Sequence, residues 1–138
     1  MRRRWWHLAK VQLEGCRVIA RDCAGRVLLI RHSYGSGNWM LPGGGIARRE
    51  TPLAAALREL AEETGLELAG PRCLMVLEEP LYGTVNRVHM FTGLTSGDPV
   101  CDRREVIEAR FFSPEAMPDG LSPHLARHLA DWLQLPDS

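Results

Sequence analysis

Residues 42–66 of the chain are PGGGIARRETPLAAALRELAEETGL, in which a glycine run leads into an alanine-rich and then acidic segment. Thr51 and Pro52 are residue types that favour the N-cap and the first turn of a helix. Gly65 is typical of the left-handed residue that ends one. The sequence therefore predicts a helix over residues 52–64, entered from a glycine loop.

The predicted helix carries its charge in an arrangement that folding alone does not favour. Three acids fall within an arc of roughly 100°: Glu59, Glu62 and Glu63. A separate arc holds the positions that we expect to face the core: Leu53, Leu57, Leu60 and Thr64. Like charges one turn apart cost about 0.2–0.5 kcal/mol each, and anions near a helix C-terminus oppose its dipole. Arg58 lies one turn before Glu62 and would limit the repulsion by pairing with it.

Two interpretations of the acidic arc remain open at this point. It is either a solvated surface or a site for a hard divalent cation, which prefers carboxylate oxygens. The glycines at residues 43–45, which follow Pro42, favour the cation, because a backbone without side chains can approach a bound ion or phosphate closely.

The complete pattern resembles the box of the Nudix family, of which MutT-like hydrolases are members. Gly44 is followed by five residues and Glu50, and then by seven residues and the segment RELAEETGL at 58–66. Nine positions are specified, so a chance match at a given start is on the order of one in a billion at average residue usage. The flanks are similar to the family as well, and the resemblance extends over residues 13–120.

The resemblance implies a role for each box residue. The metal ligands would be three carboxylates and one backbone carbonyl: Glu59, Glu62, Glu63 and Gly44. Arg58 would orient the acids, and Glu50 would brace the junction between loop and helix. The cofactor implied is Mg²⁺ or Mn²⁺.

The activity implied is metal-dependent hydrolysis of the diphosphate bond in a nucleoside diphosphate linked to another group. Such a linkage is anionic and resists attack by water until cations neutralise its oxygens. In the family a further acid outside the box often serves as general base. We expect Glu105 in this role and hold Glu108 as the second candidate; a surface position on a strand is the alternative for both.

Two other classes of function remain open. A Nudix-fold module that binds or senses nucleotides without hydrolysis is one, although such modules often lack box acids that this chain keeps. A decapping-type enzyme acting on RNA is the other, but no basic stripe is present. Among substrates, a nucleoside triphosphate or diphosphate is slightly favoured over ADP-ribose, and a bulky acyl-CoA is disfavoured.

Residues outside the box are candidates for binding the substrate. Arg31, Trp39 and Tyr82 are the first choices, because a guanidinium can bind phosphate and a flat ring can stack on a base. Weaker candidates lie near them or on a later strand: His32, Tyr34 and Phe91. His124 and His128 are four residues apart on a predicted helix, and we expect them on its surface.

Around the box the sequence predicts strands at 13–21 and 26–32, joined by a turn at residues 22–25. Further strands are predicted at 39–41, 72–79, 84–94 and 109–112. A C-terminal helix follows Ser122 and Pro123, with Leu125, Leu129, Trp132 and Leu133 facing the core. The fold class is α/β (α+β), a Nudix-type α/β/α sandwich with a mixed central sheet. We expect one domain over residues 1–138, with residues 1–12 as an N-terminal extension.

Composition limits the partners. The chain has 17 basic and 17 acidic side chains, so no net field attracts nucleic acid or an acidic membrane. No stretch approaches the ~18 apolar residues of a membrane span. The four cysteines are scattered, as in a reduced cytoplasmic protein: Cys16, Cys23, Cys73 and Cys101. The expected partner is a small-molecule nucleotide, without nucleic acid or membrane, and a homodimer is left open.

Overall fold

The computed structural model describes residues 13–81, 84–101 and 105–136. The predicted N-terminal extension at residues 1–12 therefore lies outside the described residues. The described strands are β1 (Leu13–Arg21), β2 (Val27–His32), β3 (Trp39–Met40), β4 (Gly43–Gly45), β5 (Ala69–Leu81), β6 (Thr84–Leu94) and β7 (Val106–Phe112). The described helices are α1 (Pro52–Thr64) and α2 (Pro123–Leu133). Strand β4 was not predicted, and β5 and β7 begin three residues earlier than expected.

The strands form one mixed sheet in the order β3-β2-β1-β6-β5, with β4 paired to β1 and β7 to β2. Strands β1 and β6 run parallel, from the pair Leu13 and Asn86 to the pair Arg21 and Leu94. The other pairings are antiparallel. The mixed central sheet is confirmed.

The predicted hairpin of β1 and β2 opens as it leaves its turn. Gly25 has φ 81° in that turn, and the strands pair where Arg21 meets Val27. Further along, the segment 39–45 fills the space between them: β3 pairs with β2, the amide of Val18 donates to the carbonyl of Pro42 (2.9 Å), and β4 pairs with β1. The glycine run thus becomes part of the sheet, directly beside β1.

Two apolar clusters cover the two faces of the sheet. The cluster under α1 contains Cys16, Val18, Ala20, Leu28, Ala55, Ala56, Leu60, Leu66, Leu68 and Phe91. The cluster under α2 contains Ile19, Val27, Leu29, Trp39, Leu41, Met90, Leu125, Leu129 and Trp132. Helices therefore pack on both faces, which confirms the α/β/α sandwich. Neither helix of the described chain is long and apolar enough to cross a membrane.

The predicted core face of α1 is partly wrong. Leu53 and Leu57 are each 36% exposed. The buried positions instead form a stripe of adjacent pairs along the helix: Ala55, Ala56, Glu59, Leu60, Glu63 and Thr64. The small alanines allow α1 to lie close to β1 and β4, and the helix is turned so that two of its acids share the buried face with Leu60 and Thr64.

Candidate active site

Helix α1 directs Glu59 and Glu63 at the glycine strand β4. Each of the two residues is 1% exposed, although each carries a carboxylate. The backbone amide of Gly43 donates to Glu63 Oε1 at 3.0 Å. Burying a carboxylate is costly unless hydrogen bonds or a cation compensate, so this placement marks the buried face of α1 as a site.

The ends of α1 are fixed by local sequence, as predicted. Thr51 is the N-cap, and its Oγ1 accepts a hydrogen bond from the amide of Ala54 at 3.1 Å. Gly65 has φ 73°, and its amide donates to the carbonyl of Ala61 at 2.8 Å. The register of the acids is therefore set by caps on both ends of the helix.

Gly43 and Gly44 are required by close approach. A Cβ on Gly44 would lie 2.6 Å from Cδ of Glu59, so any side chain there would displace that carboxylate. Gly43 has φ 154°, and a Cβ on it would lie 2.9 Å from Cα of Arg17. The glycine run thus allows the backbone of β4 to contact both the acids of α1 and strand β1.

Arg58 connects the acids to the loop that precedes the helix. Its Nε donates to Glu50 Oε2 at 2.7 Å and its Nη2 to Glu50 Oε1 at 2.8 Å, a bidentate pair. Nη2 also donates to the carbonyl of Gly45 at 3.2 Å. Nη1 lies 3.3 Å from both Glu59 Oε2 and Glu62 Oε1. The pairing with Glu62 and the bracing by Glu50 are both present.

This network shifts the titration of its members. The Arg58 guanidinium lowers the pKa of Glu50, against the opposing effect of burial. The hydrogen bond with Glu50 in turn raises the pKa of Arg58. Both groups are therefore charged at neutral pH. Arg58 has carboxylates on three sides, which reduces the repulsion among the box acids.

Cys16 lies beneath the site, opposite Gly44 in the register of β1 and β4. Its thiol is buried, and burial raises its pKa to about 11 although a backbone hydrogen bond from Gly44 lowers it. The nearby carboxylates of Glu59 and Glu63 raise the pKa further. At neutral pH this thiol is protonated and acts as a small packing group.

The donor chemistry of the site fits a hard divalent cation. Glu59 Oε1 and Glu63 Oε2 are buried oxygens at the glycine strand, and Glu62 is 37% exposed beside Arg58. Mg²⁺ and Mn²⁺ prefer such oxygen donors. Within the described chain, no group of three or more His, Cys, Asp and Glu side chains is gathered closely enough to hold a metal. The ligand roles of the three acids and of the Gly44 carbonyl stay predictions.

The two candidates for the general base differ in setting. Glu108 lies within β7 and not before it as expected; its Oε1 accepts from Nε (3.0 Å) and Nη2 (2.7 Å) of Arg31. Glu105 lies where β7 begins, and its carbonyl accepts the amide of Ser33 at 2.9 Å. Glu108 thus forms an ion pair with Arg31. The assignment of Glu105 as the general base stays a prediction.

The predicted substrate-binding residues that the structure describes pack against other side chains. The guanidinium of Arg31 lies 5.2 Å from the ring of Trp39, which is 8% exposed and packs edge-on against Phe112. Phe91 is buried beneath α1. Stacking on these rings would require them to move. Tyr82 lies outside the described residues.

The other residues singled out from sequence are exposed, except for His32 and His128, which are half-buried. His32 and Tyr34 stack on each other with ring centroids 4.7 Å apart, and Tyr34 is 50% exposed. His124 is exposed on α2, as expected. His128 is half-buried and stacks on Trp132, with ring centroids 5.4 Å apart.

A polar cluster beside the box was missed from sequence. Glu14 on β1 accepts from Arg87 Nη1 (3.3 Å) and from His89 Nε2 (2.9 Å), both on β6. The alternation of Arg87, His89 and Phe91 indicates one face of a strand. The link to Glu14 could not be found that way, because it depends on the parallel pairing of β1 with β6.

Comparison with known proteins agrees with this geometry. The NUDIX domain model matches residues 13–133. A Bacillus subtilis protein named "Putative 8-oxo-dGTP diphosphatase" is 29% identical over 120 residues, covering 86% of this chain and 78% of that protein. An RNA pyrophosphohydrolase of Halorhodospira halophila is 47% identical over 60 residues, covering 44% of this chain and 30% of that protein.

The fold also matches a solved structure. The crystal structure of a MutT Nudix hydrolase from Burkholderia pseudomallei superposes with a TM-score of 0.77 and 23% identity, covering 93% of this chain and all of that one. The family model spans most of the chain, including the intact box and the two-sided sandwich. The chain therefore belongs to the Nudix family and is a MutT-like Nudix hydrolase.

Proposed function

We propose that the protein hydrolyses the diphosphate linkage of a nucleoside triphosphate or diphosphate, with Mg²⁺ or Mn²⁺ as cofactor. One observation carries this proposal: two carboxylates, Glu59 and Glu63, are buried against the glycine backbone of β4. Such a face is unfavourable for folding alone and suits a cation that binds phosphate oxygens.

The reaction is attack by water on phosphorus. The water oxygen forms a bond to phosphorus, the bridging phosphorus–oxygen bond breaks, and the leaving phosphate departs with that oxygen. The metal, when bound, neutralises the phosphate oxygens and acidifies water. Glu59, Glu62 and Glu63 would hold it, Arg58 would keep their carboxylates oriented, and a further carboxylate would accept the proton from water.

The proton acceptor is testable by comparing the two candidates. Glu105→Gln is expected to lower kcat on the order of 10²-fold with little change in metal affinity, because general bases contribute about that much. Glu108→Gln should have a smaller effect on kcat. Because Glu108 pairs with Arg31, its variant should chiefly lower stability. The reverse order of kcat effects would transfer the role to Glu108.

The substrate class rests on the relatives. The Bacillus subtilis relative, aligned over most of both chains, carries a name that specifies a nucleoside triphosphate. The RNA pyrophosphohydrolase is aligned over 30% of its own length, so most of that protein is unmatched. We therefore favour a free nucleotide over RNA. A cytoplasmic location agrees with four free thiols.

Product analysis tests the proposal directly. Purified protein would be incubated with Mg²⁺ or Mn²⁺ at mildly alkaline pH, with nucleoside triphosphates, ADP-ribose, a triphosphorylated RNA and acyl-CoA. A mononucleotide plus pyrophosphate indicates a nucleoside triphosphate, and AMP plus a sugar phosphate indicates ADP-ribose. Preferential release of pyrophosphate from the RNA would make RNA, and not a free nucleotide, the proposed substrate. Efficient cleavage of acyl-CoA alone would overturn the substrate class.

The alternative to an enzyme is a module that binds nucleotides without hydrolysis. Tight, metal-dependent binding of a nucleotide without turnover of any compound in the panel would favour that alternative. Sedimentation of the same sample would test the homodimer, which stays a prediction.

A further inference from the structure

The polar cluster Glu14–Arg87–His89 lies on the same face of the sheet as α1. Glu14 is two residues before Cys16 on β1, and His89 is two residues before Phe91 on β6. Cys16 and Phe91 both pack beneath α1. Alternate residues of a strand share a face, so all three members of the cluster project toward the α1 side.

The cluster borders the carboxylate site. His89 is the direct neighbour of Cys16 across β1 and β6, and adjacent strands are about 4.8 Å apart. Cys16 in turn pairs with Gly44 across β1 and β4, and a Cβ on Gly44 would lie 2.6 Å from Cδ of Glu59. The carbonyl of Glu14 also accepts the amide of Ile46 at 3.1 Å, at the end of the glycine strand.

Arg87 is held in a way that leaves most of its donors available. A guanidinium has five N–H donors. In the described chain, Arg87 uses one of them on Glu14 at 3.3 Å, and its side chain is 40% exposed. Arg58, by contrast, makes two contacts of 2.7 and 2.8 Å with Glu50 alone. Arg87 is oriented by its neighbour without being saturated.

The charges around the cluster are mixed. Glu78 on β5 lies opposite Arg87 in the antiparallel register. Two exposed arginines, Arg48 and Arg49, lie in the loop that follows Ile46. The surroundings therefore do not form a general anionic or cationic patch. The forked donors of Arg87 that Glu14 does not use match a pair of phosphate oxygens in geometry and charge.

We propose that Arg87 binds a phosphate group of the nucleotide at the edge of the carboxylate site. Glu14 holds Arg87 in place, and His89 holds Glu14. This proposal rests on the proposed function, because it assigns Arg87 to the same substrate. The cluster would fix the phosphate chain in place while the box acids hold the cation. Arg87 would then be a substrate-binding residue and Glu14 and His89 positioning residues.

The test compares Arg87→Met with Arg26→Met. Arg26 also pairs with a carboxylate, Asp22, at 2.7 Å, but it lies at the β1–β2 turn. We expect Arg87→Met to raise KM for a nucleoside triphosphate about tenfold, since a hydrogen bond to a charged group contributes that much, with kcat nearly unchanged. Arg26→Met should leave KM unchanged.

A metal-free measurement separates this proposal from the catalytic one. Calorimetry with a nucleoside triphosphate in the presence of a chelator should show about tenfold weaker binding to Arg87→Met than to the wild type. Arg87→Lys, which keeps the charge but loses the fork, should be intermediate. Glu14→Gln and His89→Gln should weaken binding less than Arg87→Met.

Unchanged KM and unchanged metal-free binding in both Arg87 variants, with the protein folded, would overturn the proposal. Absence of turnover with weakened metal-free binding in Arg87→Met would instead retain the phosphate site and reject the hydrolase.

Discussion

The two helices start from similar sequences, but only α1 buries charged residues. Each begins with a hydroxyl residue followed by proline: Thr51-Pro52 for α1 and Ser122-Pro123 for α2. Helix α2 buries Leu125, Leu129 and Trp132, as an amphipathic helix is expected to do. Helix α1 leaves Leu53 and Leu57 partly exposed and buries Glu59 and Glu63.

The difference separates a helix whose buried face is apolar from one whose buried face includes the proposed metal ligands. Burying a leucine side chain contributes about 1.5–3 kcal/mol, part of which α1 forgoes at two positions. Burying carboxylates costs free energy unless they gain partners. The orientation of α1 is instead explained by the close approach of Ala55 and Ala56, the hydrogen bond from Gly43 to Glu63, and the contacts of Arg58.

The sharpest test of this contrast is Glu63→Gln. Glutamine keeps the acceptor for Gly43 but removes a charge expected to hold the metal, so metal-dependent turnover should fall on the order of 10²–10⁴-fold, since a metal ion contributes several kcal/mol to the transition state. The metal-free protein should be as stable as the wild type or slightly more so, because repulsion among the acids is relieved. Turnover and urea unfolding in a chelator are the two measurements. Unchanged turnover, or a marked loss of stability, would make the acid structural.

The stability side of the contrast is tested by the same substitution in each helix. Leu129→Ala in α2 removes a side chain that is 4% exposed and should cost about 2–5 kcal/mol. Leu57→Ala in α1 removes one that is 36% exposed and should cost roughly 1 kcal/mol or less. The free energy of unfolding in urea gives both values. Equal losses would mean that α1 is as much a core helix as α2.

Gly44→Ala tests the same contrast by changing β4, the strand against which the acids of α1 pack. The added methyl group would overlap the Glu59 carboxylate, as a Cβ there lies 2.6 Å from its Cδ. Displacement of a catalytic group by about 1 Å can cost 10²-fold, so we expect a loss of turnover of ~10–100-fold. Stability should fall less than in Leu129→Ala. Wild-type turnover would show that Glu59 need not contact the glycine strand.

Sequence predicted those parts of the molecule that are set by local chemistry. The ends of α1 follow from Thr51, Pro52 and Gly65, and the first turn follows from Gly25, whose φ is positive. The family pattern pointed to the acids and Arg58, of which the structure shows the burial and the ion pairs, while their metal roles stay predictions. In each case the signal lies within a few residues of the feature that it determines.

Other features depended on pairing between distant segments. The incorporation of residues 43–45 as strand β4 requires that β1 and β2 diverge, and no local pattern indicates that. The rotation of α1 about its own axis depends on which of its side chains can pack against the glycines of β4. Arg31 was expected to face substrate, but its position opposite Glu108 follows from the register of β2 and β7. The Glu14–Arg87–His89 cluster likewise needs the parallel register of β1 and β6.

The smallest expected effect concerns Glu50→Gln, which tests how firmly Arg58 holds α1 in its unusual orientation. Arg58 lowers the pKa of Glu50 below its ordinary value of 4.5. The ion pair therefore stabilises the fold fully above pH ~4.5, and this contribution is lost as the pH falls through the lowered pKa. The variant should be less stable than the wild type by about 1 kcal/mol at pH 7, since the pair is partly solvated, and the two should converge as the pH falls below the lowered pKa of Glu50. Thermal unfolding from pH 3 to pH 7 measures the difference.

Glu62→Gln provides the matched control, because Glu62 is more exposed and makes a longer contact of 3.3 Å with Arg58. A gap between Glu50→Gln and wild type that stays constant with pH would show that the charge of Glu50 does not account for the difference in stability, because glutamine keeps an acceptor for the amide of Ala47.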